Sequence, residues 1–243
     1  METIRAGIEL GVRALSFHLT SMENWKKRNP EEMIALLHGH GERFLKSSLE
    51  PLDSLGVKVK LIGRFWEDDD DANDDGSNAV PPSVRRIAKQ IEERTAHNTK
   101  ILVQFGMNYS GRDELLRVVN RAVTAAAMQN GTTTTGTRHF TESDLVSLLD
   151  TEDSNVDLLI RTGDAVRTSG FLPYQSCLAE LVFVKLMWPD FTRDVFVNTC
   201  LKEFLLNRNR TLGGDEPKQK QPIHDVPLPL FLEEEVVLHS TIL

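Results

Sequence analysis

Two arginines and a hydroxyl stand close together where one apolar run of the sequence ends. Arg161 closes that run, and Arg167 and Ser169 follow within a few residues. Guanidinium groups pair with phosphate oxygens through short, charge-assisted hydrogen bonds, and a hydroxyl adds a further donor. The pattern therefore predicts a clamp for a diphosphate. An ion pair of Arg161 with Asp157 or Asp164 is the structural alternative that the spacing leaves open.

Two further polar segments follow apolar runs. Ser21-Met-Glu-Asn-Trp-Lys-Lys-Arg28 gathers a hydroxyl, a carboxylate, an amide, an indole and three cations. Met107-Asn-Tyr-Ser-Gly-Arg112 has the Ser and Gly of a turn at a helix start, where free backbone amides attract anions. From the residues alone, the first segment also suits a polar turn leading to a helix cap at Asn29, and the second suits an ordinary strand-to-helix connection.

The elements that carry these segments alternate between short β-prone runs and longer stretches of helical period. This alternation predicts an α/β fold, a mostly parallel central sheet flanked by helices. Strands are expected at Ala14 to Thr20, Val57 to Gly63, Lys100 to Asn108, Asp157 to Thr162 and Leu181 to Met187. Helices are expected at Pro30 to Leu55, Pro82 to Ala96, Arg112 to Gln129, Thr141 to Leu149 and Thr192 to Arg210. Ligands of such sheets bind beyond the carboxyl ends of the strands, where all three polar segments lie.

Helix starts can be read at two places. Asn29 suits a cap and Pro30 suits the first helical position of the longest predicted helix. Apolar residues recur in that helix at three- and four-residue spacing, so one of its faces is expected to be buried. Thr141 followed by Asp144 predicts a capping box for a shorter helix.

The composition sets the domain organisation. With 243 residues and 40% hydrophobic residues, the chain can bury a full core. We expect one domain over residues 1–214 and a peripheral tail over residues 215–243, where Pro, Lys, Gln and Glu become frequent. The stretch Asn130 to Arg138 is predicted to be a surface loop.

The charge argues against nucleic acid as a partner, because phosphate backbones require concentrated Lys and Arg and the formal charge is -8. Much of this charge lies in one acidic run between Asp68 and Asp75, which predicts a solvated loop. The two cysteines suit a reduced compartment, and no apolar run is long enough to cross a bilayer, so a cytoplasmic location is expected. A peripheral contact with a membrane surface is left open.

In this order and at these separations, the segments resemble the cis-prenyltransferases, the undecaprenyl and dehydrodolichyl diphosphate synthases. The resemblance runs from about Gly11 to Gly214. Its motifs are Ser21-Met-Glu-Asn-Trp-Lys, Ile62-Gly63, Asn108-Tyr109-Ser110-Gly111-Arg112, Asp157-Leu-Leu-Ile-Arg-Thr-Gly163, Arg167-Thr-Ser169, Ala179-Glu180-Leu-Val-Phe183 and Trp188-Pro-Asp-Phe191. The resemblance implies a prenyl transferase with the fold of undecaprenyl diphosphate synthase. It would condense isopentenyl diphosphate with an allylic diphosphate to make a cis-polyprenyl diphosphate, such as a dolichol precursor.

The resemblance also assigns substrate and metal roles. Arg161, Arg167 and Ser169 match residues that hold the diphosphate of isopentenyl diphosphate. Glu180 matches a glutamate that helps to bind Mg²⁺, often across a dimer interface. A homodimer or a heterodimer with a related subunit is therefore implied.

The residues that follow the first predicted strand match the catalytic segment of the family. Asn24 matches an amide implicated in catalysis near the allylic substrate, and Trp25 matches an aromatic residue that responds to substrate binding. Ser21 and Glu23 are their motif neighbours. The helix over residues 30–55 corresponds to one wall of the tunnel for the growing chain.

One departure bears on activity. The family begins with a strand ending in Met-Asp-Gly-Asn-Gly-Arg-Trp, and no such segment precedes Ser21. We therefore expect a central strand and the allylic phosphate cradle to be missing, and a sheet without that strand to be unstable. The alternative function is a noncatalytic partner subunit of a heteromeric cis-prenyltransferase, although known partners tend to lose the Ile-Arg-Thr-Gly residues that this chain retains.

Overall fold

The computed structural model describes residues 1–65, 80–129, 139–151, 155–211 and 236–241. At residues 30, 128–129, 207–211 and 236–241 it describes the backbone only. The acidic run and the stretch from Asn130 to Arg138 lie outside the described residues, so both loops stay predictions. Within the described ranges, no helix is both long enough and apolar enough to span a bilayer.

Helices and strands alternate along the chain. The strands are β1 (Val12–His18), β2 (Val57–Ile62), β3 (Ile101–Gly106), β4 (Leu158–Thr162), β5 (Glu180–Val184) and β6 (Val236–Thr241). The α-helices are α1 (Glu2–Glu9), α2 (Met22–Lys27), α3 (Pro30–Leu36), α4 (Glu42–Ser54), α5 (Pro82–Thr95), α6 (Gly111–Gln129), α7 (Glu142–Leu148) and α8 (Lys202–Thr211). Wider π-helical turns precede α4 at Leu37–Gly41 and α8 at Val195–Leu201, and a 3₁₀ turn covers Trp188–Asp190.

The six described strands form one parallel sheet in the order β2-β3-β1-β6-β4-β5. Helices α1, α4 and α5 contact the β1–β3 half, and α8 contacts β5. The predicted α/β class with a mostly parallel sheet flanked by helices is confirmed, and all five predicted strands overlap β1 to β5. Since the strands are parallel, their carboxyl ends meet at one edge.

The tail requires a correction. Residues 236–241 were expected to be peripheral, but they form β6 in the interior of the sheet, paired with β1 on one side and β4 on the other. The described sheet is therefore continuous from β2 to β5 through β6. The composition of the whole tail misled the prediction, because an interior parallel strand needs only a short apolar run such as Val236-Val-Leu238.

The predicted helix over residues 30–55 is divided. Its start is confirmed, since the Asn29 side chain accepts a hydrogen bond of 2.9 Å from the Glu31 amide and Pro30 occupies the first turn. The π-helical turn over Leu37–Gly41 separates α3 from α4. Two glycines in that turn lower the helical propensity locally, so an additional residue is accommodated there. The predicted capping box at Thr141 is also confirmed.

The strands of the sheet are largely buried. Every residue of β4 is buried, and in β2 buried residues alternate with half-buried lysines. Inside the sheet Gln104 donates a 3.0 Å hydrogen bond to Ser16 on the neighbouring strand, so these two polar groups satisfy each other. A smaller buried cluster includes Tyr109, Leu159 and Phe171, and the rings of Tyr109 and Phe171 meet edge to face at a centroid distance of 5.4 Å.

Gly63 ends β2 in a conformation that a side chain would oppose. Its φ is +105°, and a Cβ there would lie 2.5 Å from the Met107 carbonyl oxygen. The Gly63 amide donates to Asp150 at 3.1 Å, which fixes the turn to a buried acidic group.

We expect Gly63→Ala to destabilise the protein by about 2 to 4 kcal/mol, because it combines left-handed backbone strain with a steric clash. The matched control is Gly39→Ala, since a Cβ at Gly39 meets nothing within 4 Å and the position is helical. That change should be neutral or stabilising by up to about 1 kcal/mol. Urea unfolding followed by circular dichroism measures both, and equal stabilities of the two variants would contradict the expectation.

Candidate active site

The first two polar segments meet where β1 and β3 end. A β-bridge joins Ser21 to Tyr109, and the Met22 amide donates to the Tyr109 carbonyl at 3.2 Å. The Tyr109 amide donates in return to the Thr20 carbonyl at 3.1 Å, and the Thr20 hydroxyl accepts from the Asn108 amide at 2.9 Å. The turn is tight enough to hold Asn108 at a φ of 49°. These contacts fix the segments to each other.

The loop after β4 joins the same edge. Arg161 Nη1 donates a 2.9 Å hydrogen bond to Ser169 Oγ, and the Gly111 amide donates to the Gly170 carbonyl at 3.0 Å. Ser169 and Gly170 have φ values of 53° and 72°, which reverses the chain toward β3. All three segments that the sequence singled out therefore lie together. The Asn108 segment is the strand-to-helix connection between β3 and α6, as the sequence suggested. It belongs to the site because it lies at this edge of the sheet.

Arg161 is a buried cation that pairs with no carboxylate of the described residues. The residue is 3% exposed. Within the described residues its guanidinium donates one hydrogen bond, to Ser169, and its Nε has no acceptor. Burial, and then the nearby charge of Arg167, lower the pKa of the Arg161 guanidinium. The alternative of an ion pair with Asp157 or Asp164 is not found in the described structure. Two like charges near one another, one of them desolvated, favour binding of an anion.

Helix α2 arranges the segment after β1. Ser21 caps the helix by accepting from the Asn24 amide at 3.1 Å, so the interpretation of this segment as a polar turn is replaced by a short capped helix. Asn24 is half-buried and Glu23 is exposed. Trp25 is 2% exposed and packs in the main core, and its indole N–H has no acceptor within the described structure.

Glu180 lies at the other end of the sheet. It begins β5 and pairs with Leu158, three rungs before the pair of Arg161 with Phe183. The predicted metal ligand is therefore not brought to the clamp within one chain. Among the described residues, no three His, Cys, Asp or Glu side chains lie close enough together to hold a metal. Its role in Mg²⁺ binding stays a prediction.

His18 is a site residue that the sequence interpretation missed. It ends β1 and is 1% exposed, and its ring stacks on Phe171 at a centroid distance of 4.6 Å with an angle of 8° between the planes. Neither ring nitrogen has a hydrogen-bond partner in the described structure. Burial lowers the pKa of His18 to about 4, while the nearby Tyr109 backbone and the charge of Glu23 oppose the shift and the charge of Arg161 adds to it. The residue is therefore neutral near pH 7.

A buried polar network supports this edge from behind, and it was also missed. Tyr109 donates its hydroxyl to Glu114 at 2.6 Å, and Gln175 donates to the same carboxylate oxygen at 3.1 Å. Burial raises the pKa of both Glu114 and Tyr109. The other Glu114 oxygen accepts from the Asp150 amide at 2.9 Å, and Asp150 accepts two bonds from Arg117, at 2.8 and 2.6 Å. The available signal in the sequence was a Glu in the first turn of a predicted helix, five residues after a Tyr.

The undecaprenyl diphosphate synthase family model matches residues 1–213 of this chain. The chain belongs to this family. It is a transferase of prenyl groups, as the resemblance implied, and the match extends through all three segments of the site.

Curated relatives agree with this family. The chain is 35% identical over 225 residues to a trans,polycis-polyprenyl diphosphate synthase specific for (2Z,6E)-farnesyl diphosphate from Thermobifida fusca, a match that covers 91% of this chain and 72% of the relative. It is 32% identical over 224 residues to isoprenyl transferase 1 of Streptomyces coelicolor, covering 90% of this chain and 73% of the relative.

Two solved structures share the fold. A probable undecaprenyl diphosphate synthase from Campylobacter jejuni superposes with a TM-score of 0.68 at 26% identity, over 84% of this chain and 86% of the other. Lavandulyl diphosphate synthase from Lavandula x intermedia, solved with dimethylallyl diphosphate, gives the same TM-score at 21% identity, over 84% and 80% of the two chains. The predicted undecaprenyl diphosphate synthase-like fold is thereby confirmed.

His18 makes the stability of the protein depend on pH. Its folded pKa is about 4 and its ordinary pKa is 6.5. Between pH 6.5 and pH 4, His18 is therefore mostly protonated in the unfolded chain and mostly neutral in the folded chain. The free energy of unfolding falls as the pH decreases through this range. We expect wild type to lose about 2 to 3 kcal/mol more than His18→Phe between pH 7 and pH 4.5, at 1.36 kcal/mol per pKa unit.

Urea unfolding at the two pH values measures this difference, because carboxylate effects are common to both proteins. His97→Phe is the matched control, since His97 is exposed, and it should lose as much stability as wild type. The same acid-induced loss in wild type and in His18→Phe would refute the role of His18.

Proposed function

We propose that this chain condenses isopentenyl diphosphate with an allylic diphosphate and so extends a cis-polyprenyl diphosphate. Arg161, Arg167 and Ser169 would hold the diphosphate of isopentenyl diphosphate. The relative from Thermobifida fusca is named for (2Z,6E)-farnesyl diphosphate, which makes this compound the allylic substrate to test first.

The observation that carries this proposal is the uncompensated positive charge at the carboxyl edge of the sheet. Arg161 is nearly fully buried, hydrogen-bonded only to a neutral hydroxyl among the described side chains, and close enough to Arg167 for its pKa to be lowered. An isolated buried charge is costly unless a counterion pairs with it. A diphosphate supplies both the negative charge and the several acceptor oxygens that two guanidinium groups and a hydroxyl can use.

The reaction suits an edge that combines cations with apolar walls. The bond between the allylic carbon and its diphosphate breaks, the double bond of isopentenyl diphosphate attacks that carbon, and a proton then leaves to restore a double bond. Arg161 and Arg167 would orient the attacking substrate through its diphosphate, which brings the two carbons together and reduces the entropic barrier. Aromatic and aliphatic side chains above the sheet, such as Phe44 and Phe105, would receive the hydrocarbon.

On the allylic side we propose the segment from Ser21 to Trp25. Ser21 and Asn24 are held in one turn of α2, and the buried Trp25 N–H faces no protein acceptor in the described structure. Asn24 would contact the allylic substrate through its half-buried amide. Glu23 is exposed and is the carboxylate of this segment.

We propose that Mg²⁺ would be held mainly by the substrate diphosphate, with Glu180 of another subunit as a carboxylate ligand. Mg²⁺ commonly binds through substrate phosphates and one or two carboxylates, retaining several waters. It would neutralise charge on the departing diphosphate. Glu180, at the start of the edge strand β5, would contribute only across an interface with another subunit.

A subunit interface at β5 is the partner surface that the fold supports. Leu181 and Phe183 point to one face of this edge strand and remain 44% and 36% exposed, while Val182 and Val184 are buried on the other face. Leu178 and Met187 extend the apolar surface at 93% and 59% exposure. Adjacent exposed apolar residues of this kind mark interaction sites. We propose a homodimer through this surface.

The function is tested with radiolabelled isopentenyl diphosphate, (2Z,6E)-farnesyl diphosphate and Mg²⁺. We expect incorporation by wild type and its loss in Arg161→Met, with affinity for isopentenyl diphosphate reduced about 100-fold, because a buried charge pair with the ligand disappears. The unliganded Arg161→Met protein should be as stable as wild type or more stable, since the change removes an unpaired buried cation.

Arg117→Met is the matched control for this experiment. Arg117 is 7% exposed but forms ion pairs with Asp113 and Asp150, so the same substitution there should destabilise the fold by about 3 to 5 kcal/mol. A loss of stability in Arg161→Met equal to that in Arg117→Met would make Arg161 a structural residue. Wild type that binds isopentenyl diphosphate but turns over only with a related subunit would identify a heteromeric enzyme.

The dimer makes a separate prediction. Leu181→Glu should convert the protein to a monomer, because a carboxylate would be buried without a partner at the interface. The matched control is Val166→Glu, which places the same charge on a side chain that is 77% exposed and should leave the dimer intact. Analytical ultracentrifugation measures the mass of each, and a monomeric wild type would eliminate the interface.

A further inference from the structure

The strand β6 lies outside the segment that the family model matches, yet it occupies the interior of the described sheet. The family match ends at residue 213, and β6 covers Val236–Thr241. The strand is paired over its length with β1 and over four rungs with β4, from Leu158 opposite Leu238 to Arg161 opposite Thr241. In the described sheet β1 and β4 are neighbours of β6 and not of each other.

Removing β6 would divide the described sheet into β2-β3-β1 and β4-β5. Each half would then present a row of unpaired backbone N–H and C=O groups in the interior of the domain. Neighbouring strands lie about 4.8 Å apart, so β6 holds β1 and β4 about 10 Å from each other. No other described element pairs with both halves.

The register places the end of β6 between the two halves of the site. Thr241 is opposite His18 on the β1 side and opposite Arg161 on the β4 side. His18 leads directly into the segment from Ser21 to Trp25, and Arg161 is the buried cation of the diphosphate clamp. The distance between the two proposed substrate segments is therefore set by a strand that comes from the end of the chain.

We infer that β6 completes the active site. The groove between β1 and β4 binds residues 236–241 as a strand, and this binding positions Arg161 against the segment that follows β1. Recognition of this kind uses main-chain hydrogen bonds on both sides of the inserted strand, which is the mechanism of β-strand addition. The same groove would accept these residues from a separate peptide. The inference rests on the proposed function only where substrate affinity is the measurement.

Hydrogen exchange of the unaltered full-length protein gives the first test. We expect the amides of residues 237–241 to exchange as slowly as those in the middle of β1 and β4, because an interior strand opens only with the sheet. Exchange of these amides at the rate of unstructured peptide would overturn the inference. Wild type that shows slow exchange but no affinity for isopentenyl diphosphate would overturn the proposed function and leave the strand in place.

Leu238→Pro in the full chain tests the link to the site. Since β6 is paired on both sides, proline at its centre removes a ladder donor and cannot be accommodated as it is at an edge. We expect at least a tenfold loss of affinity for isopentenyl diphosphate and a lower melting temperature. The control is Gln219→Pro, in the connecting residues 212–235 that already contain Pro217 and Pro222, which should behave as wild type.

A synthetic peptide of residues 233–243 distinguishes loss of the strand from general misfolding. Added in excess to Leu238→Pro, it should restore both the melting temperature and the affinity, whereas the same peptide carrying Leu238→Pro should not. Two outcomes would overturn the proposed role in completing the site. One is a Leu238→Pro protein with the affinity and melting temperature of wild type. The other is slow exchange of residues 237–241 in wild type together with failure of the peptide to rescue Leu238→Pro at any concentration.

Discussion

Burying a guanidinium without a carboxylate partner is unfavourable in the absence of ligand. Arg161 is buried in this way at the carboxyl edge of the sheet, as far as the described residues show. The hydroxyl of Ser169 orients the side chain but does not neutralise it. Arg167 increases the positive potential further. The other features of the site keep this charge in a fixed place, where no carboxylate of the described residues pairs with it.

Those carboxylates are occupied elsewhere. Asp113 and Asp150 pair with Arg117, and Glu114 accepts from Tyr109 and Gln175. The network therefore holds the turn after β3 and the loop after β4 in contact while leaving Arg161 uncompensated. His18 contributes a neutral ring, stacked on Phe171, that fills the space between the strands without adding charge near pH 7.

One interior strand of the described sheet lies beyond the segment that the family model matches. The matched segment ends at residue 213, and the strand between β1 and β4 comes from residues beyond it. A parallel sheet does not require that neighbouring strands be close in sequence, only that each interior strand be paired on both sides. For this reason a short apolar run at the end of a polar tail can become the centre of the fold.

The sequence by itself determined the parallel α/β class, five of the six described strands, the caps at Asn29 and Thr141, and the membership in the prenyl transferase family. These depend on local periodicity, capping chemistry and short motifs, all of which are readable along the chain. Only the tertiary structure decided that Arg161 meets no carboxylate among the residues it describes and that His18 is buried and neutral. It also decided that Glu180 lies at the far end of the sheet and that Val236–Thr241 pairs with two distant strands. Burial, partner choice and strand order depend on contacts between residues far apart in sequence, and no local pattern specifies which of the available partners each residue meets.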